Sequence, residues 1–222
     1  MKPDARRRRP EARPDEILDA ALAVFSEKGF AAARMEDVAK RAGLSKGAVY
    51  LYFDSKEAVF EALVRRFAET VVGAAAKRFA AMGEDDPEAA LRTAIAFLVK
   101  ALADPAVSAA PRLVIAEAQR FPEIAQLYRR EVIAVGQRAF EGLLARGVER
   151  GVFREVPFDA AKRAFMGPVI VHMILSHVFP DPDAPAPAAD ADALAAALAD
   201  LLLNGLRPRP TRDPDTELPS AS

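Results

Sequence analysis

An all-α protein of about nine helices is predicted by three properties of this 222-residue chain. Its apolar fraction of 51% is ample for a core, but much of it is alanine, which favours helix strongly and buries little area, so closely packed helices are expected rather than a sheet. No run alternates Val, Ile or Thr with polar residues in the manner of a half-buried strand. Apolar residues recur instead at i, i+3, i+4 and i+7 along most of the length.

The elements follow in order. Asp15 is placed to cap a first helix whose Ile17, Leu18, Ala21, Leu22 and Phe25 share a face, with Gly29 as its stop signal. Met35, Val38, Ala39 and Ala42 stripe a short second helix ended by Gly43, after which Leu44 packs inward and the Ser45 hydroxyl caps a third. In that third helix Val49 and Phe53 face inward, leaving Lys46, Gly47, Ala48 and Tyr52 outward. Asp54 or Ser55 caps a fourth helix, Glu57 offering a capping box with Asp54, and Phe60, Leu63, Val64, Phe67 and Val71 form its buried stripe. The polar stretch 82–87 ends it.

Beyond Pro87 the pattern stays helical. Leu91, Ile95, Leu98 and Leu102 stripe a fifth helix that Asp104 and Pro105 break, and Pro111 opens or kinks a sixth segment reaching about Arg120. After the break at Phe121 and Pro122, a long seventh helix runs to Arg150, with Leu127, Val132, Val135, Ala139 and Leu143 inward and Gly151 beyond its end. An eighth spans 159–178 and should kink at Gly167 and Pro168. A proline-rich loop at 181–187 precedes a last helix, capped by Asp190 or Asp192 and ending near Leu206; a disordered tail follows.

Composition excludes several classes. With no cysteine there is no disulfide framework and no thiolate metal site, no apolar run approaches the roughly 20 residues a membrane span needs, and a cytoplasmic protein without cofactor or metal is expected. His172 and His177 are the only bases near neutral pH, their spacing of five keeps them off a common helix face, and no paired carboxylates suggest catalysis, so an enzyme is not indicated. The net charge of -1 hides a polarity: residues 1–53 hold eleven Lys/Arg against eight Asp/Glu. Arg6, Arg7, Arg8, Arg9 and Arg13 form a basic arm that either meets phosphates or is simply solvated.

Two short helices joined by a glycine-containing turn, behind a packing helix, form a helix-turn-helix whose last helix enters a DNA major groove. Lys46 then brings charge to a phosphate or guanine edge, Gly47 and Ala48 permit close approach, and the Tyr50 and Tyr52 hydroxyls reach phosphates. Lys56 opens the fourth helix, where the dipole disfavours a cation unless an anion such as a DNA phosphate lies nearby.

Residues 35–39, 42–53 and 55–60 resemble the tetracycline-repressor (TetR/AcrR) family of bacterial transcription regulators, with glycine, serine, tyrosine, phenylalanine and lysine at the family's spacing. One departure is Arg34, preceded by Ala33, where the family commonly has hydroxyl residues; the cap is lost in its usual form and the arginine's charge replaces its phosphate contact. The resemblance implies a DNA-binding domain over 14–60 between the basic arm at 1–13 and a helical ligand-binding and dimerisation domain over 61–207, with the tail at 208–222. The DNA residues are then Arg34, Ser45, Lys46, Gly47, Ala48, Tyr50, Tyr52 and Lys56.

The resemblance further implies a homodimer in which the last two helices of each subunit form a four-helix interface, and Leu194, Leu198, Leu201 and Leu202 with neighbouring alanines give the last helix a wide apolar surface. Burial within its own subunit is the alternative. Candidates for a small hydrophobic ligand are Phe97, Leu113, Glu117, Phe121, Phe140, Phe165, Met166, Val169 and His172. Glu117 otherwise pairs with Arg112 or Arg120, His172 otherwise is a satisfied core histidine, and the phenylalanines otherwise are plain core. The expected mechanism is a repressor released from operator DNA when ligand favours a dimer with misplaced reading helices, the fourth helix transmitting the change. A ligand-independent regulator or an activator with the same fold fits the residues equally.

Overall fold

The computed structural model describes residues 13–183 and 190–208. They form nine helices and no strand. These are α1 (Arg13–Lys28), α2 (Met35–Ala42), α3 (Lys46–Tyr50), α4 (56–85), α5 (Pro87–Ala103), α6 (Pro105–Glu117), α7 (122–149), α8 (Phe158–His177) and α9 (Ala191–Leu206). Two of them contain a π-helical turn, Ala68–Gly73 in α4 and Arg129–Ile133 in α7. Arg6, Arg7, Arg8 and Arg9 lie outside the described residues, as do 184–189 of the proline-rich loop and 209–222 of the tail.

The helix ends follow from local chemistry, with some changes from expectation. Because α1 already includes Arg13, Asp15 lies in its first turn rather than at its cap, where it and Glu16 complement the helix dipole. Arg66 of α4 meets Asp15 and Asp19 at 3.6 and 2.8 Å. Gly29 and Gly43 have φ of 75° and 67°, the left-handed conformation in which a Cβ is costly, and they end α1 and α2 as their positions required. At α4 the cap is Ser55, whose hydroxyl accepts the Ala58 N–H at 3.1 Å, so the capping box between Asp54 and Glu57 does not form.

The sixth helix begins at Pro105, not Pro111. The Asp104 carboxylate accepts the Ala106 N–H at 2.8 Å, and Pro105 occupies a first position where a missing N–H costs nothing. Together they turn the chain by 84° between α5 and α6. Pro111 is instead buried inside α6. Likewise α8 runs unbroken through Pro168.

In α7 the inward face follows the expected line in part. Leu127, Val132 and Leu143 face the core as expected, but Val135 and Ala139 are only half-buried and Phe140 and Leu144 take the inward positions. In α9 the buried line is Ala191, Ala195, Ala199, Leu203 and Leu206, packed chiefly on α5, because alanines let the two backbones approach. Asp190 precedes α9 without making a side-chain cap bond. A bidentate pair of Arg207 with Glu88, at 2.8 and 2.9 Å, ties the end of α9 to the start of α5 and holds the Glu88 carboxyl below its usual pKa.

Where α7 turns toward α8, the Phe153 ring, only 2% exposed, lies directly over Gly147. A Cβ at Gly147 would sit 2.0 Å from Phe153 Cδ2, so Gly147→Ala must displace a buried ring. We expect a loss of about 1–3 kcal/mol in denaturant unfolding at unchanged helix content. An unchanged midpoint would show that the ring is not seated there.

Candidate nucleic-acid interface

The α2–turn–α3 unit is closed by backbone and side-chain bonds at both ends. At its start Arg34 holds the cap position with φ -124° and ψ 153°, and as expected its side chain makes no capping bond. Asp37, the third residue of α2, compensates by accepting the Arg34 backbone N–H at 3.1 Å. Lys28 of α1 clamps the same carboxylate at 2.6 Å and, with that backbone bond, holds its pKa below the usual value. An acidic residue three places after the cap was the available signal for this role. At the turn, the Gly43 and Leu44 N–H groups return to the Lys40 and Ala39 carbonyls at 3.2 and 2.9 Å. Ser45 then accepts the Ala48 N–H at 3.2 Å and starts α3.

Val49, fully buried, anchors this five-residue helix while its other side faces solvent. Lys46 and Gly47 are exposed, Ala48 is half-buried, and Tyr50 and Tyr52 are 40% and 41% exposed. Leu51, which sequence reasoning passed over, is 83% exposed, more than any other large apolar side chain among the described residues. Its position two residues past Val49, some 200° around a helix, already pointed outward. Arg34 is also exposed and forms no ion pair among the described residues.

Lys46 is not a bare charge in the free protein. Its ammonium lies 2.5 Å from the Glu36 carboxylate of α2 and 5.7 Å from the Tyr50 ring centre. The pairing lowers the pKa of Glu36 and raises that of Lys46. A phosphate approaching Lys46 therefore competes with a carboxylate already on the same face.

Lys56 has a different place from the one expected. Its Nζ donates to the carbonyls of Phe30, Ala31 and Ala33 at 3.0, 3.0 and 3.4 Å and lies 4.8 Å from the Phe30 ring centre. Carbonyl dipoles of the α1–α2 turn supply the negative partner for which a DNA phosphate was invoked, and the lysine frames the reading unit from behind. Glu117 and Phe121 both contact Phe30. The Glu117 carboxylate accepts the Phe30 N–H at 3.0 Å, without an ion pair to Arg112 or Arg120, and the Phe121 ring meets Phe30 edge-on at 5.0 Å. Both residues join the helical domain to the turn before α2.

The other ligand candidates are closed against their neighbours. Phe140 and Phe165 stack at 4.4 Å with Phe158 beside them, Phe97 meets Phe79 at 5.9 Å, Leu113 and Val169 are buried, and Met166 is half-buried. His172 has a buried Nε2 without a hydrogen-bond partner among the described residues, and burial, then the nearby His177, pushes its pKa down. A recess of about 200 Å³ lies elsewhere, lined by Leu22, Leu63, Phe67, Val71 and Val107 between α1, α4 and α6. On the dimer candidates, Leu194, Leu198 and Leu202 are half-buried and Leu201 is 71% exposed. No cluster of three metal-ligating side chains occurs among the described residues, and no single helix there is long and apolar enough to cross a membrane.

Residues 17–63 match the family of bacterial regulatory proteins named for TetR, and residues 84–198 match the tetracyclin repressor-like C-terminal domain. The chain is 32% identical over 159 residues to the HTH-type transcriptional regulator YfiR of Bacillus subtilis, a span of 70% of this chain and 75% of that one. Over 51 residues, 23% of this chain and 27% of the relative, it is 39% identical to IcaR of Staphylococcus aureus, the negative transcriptional regulator of the biofilm operon icaADBC. The structure of the fatty acid degradation regulator FadR from Bacillus halodurans, 28% identical, aligns with a TM-score of 0.71 over 92% of this chain and 100% of its own. With both halves matched in order and the second match alone spanning more than half its length, this chain belongs to the TetR family of DNA-binding transcriptional regulators.

Proposed function

We propose that the protein is a homodimeric repressor whose α3 helices read operator DNA and which releases that DNA when a small hydrophobic compound enters its helical domain. The observation that carries the reading is the capped α2–turn–α3 unit, which presents Lys46, Gly47, Tyr50 and Tyr52 on one solvent-facing side. Lys46, Gly47 and Ala48 approach base edges, while Arg34, Ser45, Tyr50 and Tyr52 hold the flanking phosphates. Similarity to a negative regulator over the reading domain supports repression.

Dimerisation is supported by a run of uncovered apolar side chains on α8, its end and α9. Val171, Leu175, Val178, Phe179 and Leu201 are 53, 55, 51, 69 and 71% exposed, an arrangement a second copy of the same helix pair would cover. Two reading helices then address half-sites about 34 Å apart. For the ligand, Phe97, Leu113, Phe140, Phe165, Met166 and Val169 supply apolar surface, and the unpartnered His172 Nε2 supplies one polar anchor. An apolar compound that fits between α7 and α8 has to part the rings of Phe140 and Phe165, a change of packing that the dimer interface on α8 would feel.

The reading is tested by anisotropy titrations of promoter DNA fragments with the full chain, repeated with fatty acids and other apolar compounds. We expect tight binding to one site and its weakening by a compound that binds the protein. Compounds that bind without altering DNA affinity would rule out ligand release. Within the reading unit, Lys46→Ala should weaken operator binding and reduce the dependence on log salt by about one unit. Glu36→Gln should tighten binding by freeing Lys46, and equal affinities in the two variants would contradict the assigned face. At the other end of the molecule, Leu201→Glu should shift the sedimenting species from dimer toward monomer at micromolar concentration, with operator affinity falling in parallel.

A further inference from the structure

Glu117 is the last residue of α6, yet its carboxylate bonds to a peptide 87 positions earlier in the chain. The Phe30 N–H reaches its Oε1 at 3.0 Å, and the carboxylate lies over Gly29, where a Cβ would be 3.6 Å from the same oxygen. Phe30 is fully buried, so an unmet N–H there would cost about 1–3 kcal/mol. Its carbonyl is held from another direction by Lys56, which also binds the carbonyls of Ala31 and Ala33. Both polar groups of one residue are thus fixed by charged side chains from separate helices. Arg34, the cap of α2, follows Ala33 directly. The turn is in effect a short rigid strap whose one end is α2 and whose other end is gripped by α6.

We infer that Glu117 is the positioning residue through which the helical domain sets the orientation of the α2–turn–α3 unit, and with it the affinity for operator. The inference rests on the operator-binding function proposed above and names how its reading helix is governed. The remaining contacts of α6 with α1 and α4 are chiefly apolar and tolerate small sliding movements. A charge-assisted hydrogen bond does not: it is directional and is lost over about an ångström. Movement of the α6 C-terminus therefore either carries Phe30 with it or breaks this bond, and in both cases Lys56 passes the change to the carbonyl preceding Arg34. Phe121, edge-on to the Phe30 ring at 5.0 Å, moves with the same end of α6 and adds apolar contact without direction.

The test uses the full-length protein with two substitutions, Glu117→Ala and Glu117→Gln. Glutamine keeps an oxygen that accepts the Phe30 N–H; alanine does not. We expect Glu117→Ala to weaken operator binding about tenfold and Glu117→Gln to stay within about threefold of the parent. Linkage makes the effect reciprocal: operator should slow exchange of the Phe30 amide in the parent by a comparable factor, and much less in Glu117→Ala. In the protein without DNA, Glu117→Ala should speed exchange at Phe30 and also at Asp37 and Val38 in the first turn of α2, whose N–H groups bond to the Arg34 carbonyl. Exchange that quickens at Phe30 alone, or operator affinity unchanged by Glu117→Ala, would reduce the bond to a local structural tie and overturn the proposal. A glutamine variant as defective as alanine would overturn it too. Failure of the parent to bind any promoter fragment would defeat the operator reading instead, and the exchange pattern in the free protein would still decide whether Glu117 holds α2.

Discussion

The position of the reading helix depends on how Phe30 is held. Its ring meets Phe25 of α1 at 5.2 Å, Phe60 of α4 at 5.0 Å and Phe121, before α7, at 5.0 Å, so three parts of the fold converge on one side chain. Aromatic burial supplies most of the free energy here, each edge-on pair adding about 0.5–1.5 kcal/mol beyond area. It does not fix orientation on its own. Direction comes from the polar groups of the same residue, which Lys56 and Glu117 take up in opposite senses, cation to carbonyl and carboxylate to N–H. In a three-helix DNA-binding unit with eight residues in α2 and five in α3, few side chains of these two helices are available to set their orientation. Contact with the neighbouring domain supplies the missing constraint.

That dependence explains which features were legible in the sequence. Gly43, Ser45 and Ser55 act within three or four residues of themselves, through backbone geometry and hydroxyl capping, and their neighbours suffice to read them. The same holds for the stripe Ile17, Leu18, Ala21 and Phe25. Lys56, Glu117 and Phe121 act on a partner 26, 87 and 91 positions away, or nearly so, and one-dimensional spacing is silent about such partners. A cation at the start of a helix and a carboxylate in an apolar segment stand out in the sequence, but their partners, the carbonyls of the α1–α2 turn and the Phe30 N–H, do not. In α7 the helical period places Val132 and Leu143 inward but does not separate Ala139 from its neighbour Phe140, and the larger ring takes the interior. In α9 close approach of backbones places the alanine line inside and leaves the leucine stripe half-buried or exposed, a choice that periodicity alone does not make.

The reading face also has an electrostatic balance that composition alone conceals. Asp37 and Glu36 are adjacent acids at the start of α2, yet they do different work. Asp37 is tied to Lys28 and to the backbone of Arg34, and so belongs to the frame. Glu36 and Lys46 are each more than half exposed and neutralise one another across the gap between α2 and α3. Ion pairs of that exposure contribute little to stability and are screened by salt. Their significance lies in competition: a phosphate that replaces Glu36 gains less than a free lysine would offer, and the displaced carboxylate remains near the DNA.

The helical domain presents a related problem of scale. Phe140 and Phe165 are stacked on one another, so a ligand of the kind proposed above would first have to part them. A tenfold loss of operator affinity requires only about 1.4 kcal/mol of coupling, an amount comparable to one edge-on aromatic pair or one buried hydrogen bond. The whole domain need not rearrange to deliver it. Because α6 ends in Glu117 and begins at the 84° bend fixed by Asp104 and Pro105, it behaves as a lever with one end set by α5 and the other on Phe30. A displacement of α5 or α6 too small to disturb the core is still large against the tolerance of a hydrogen bond. A closed core and a responsive reading helix are therefore compatible: packing resists the movement, and a single directional bond at its far end is sensitive to what remains of it.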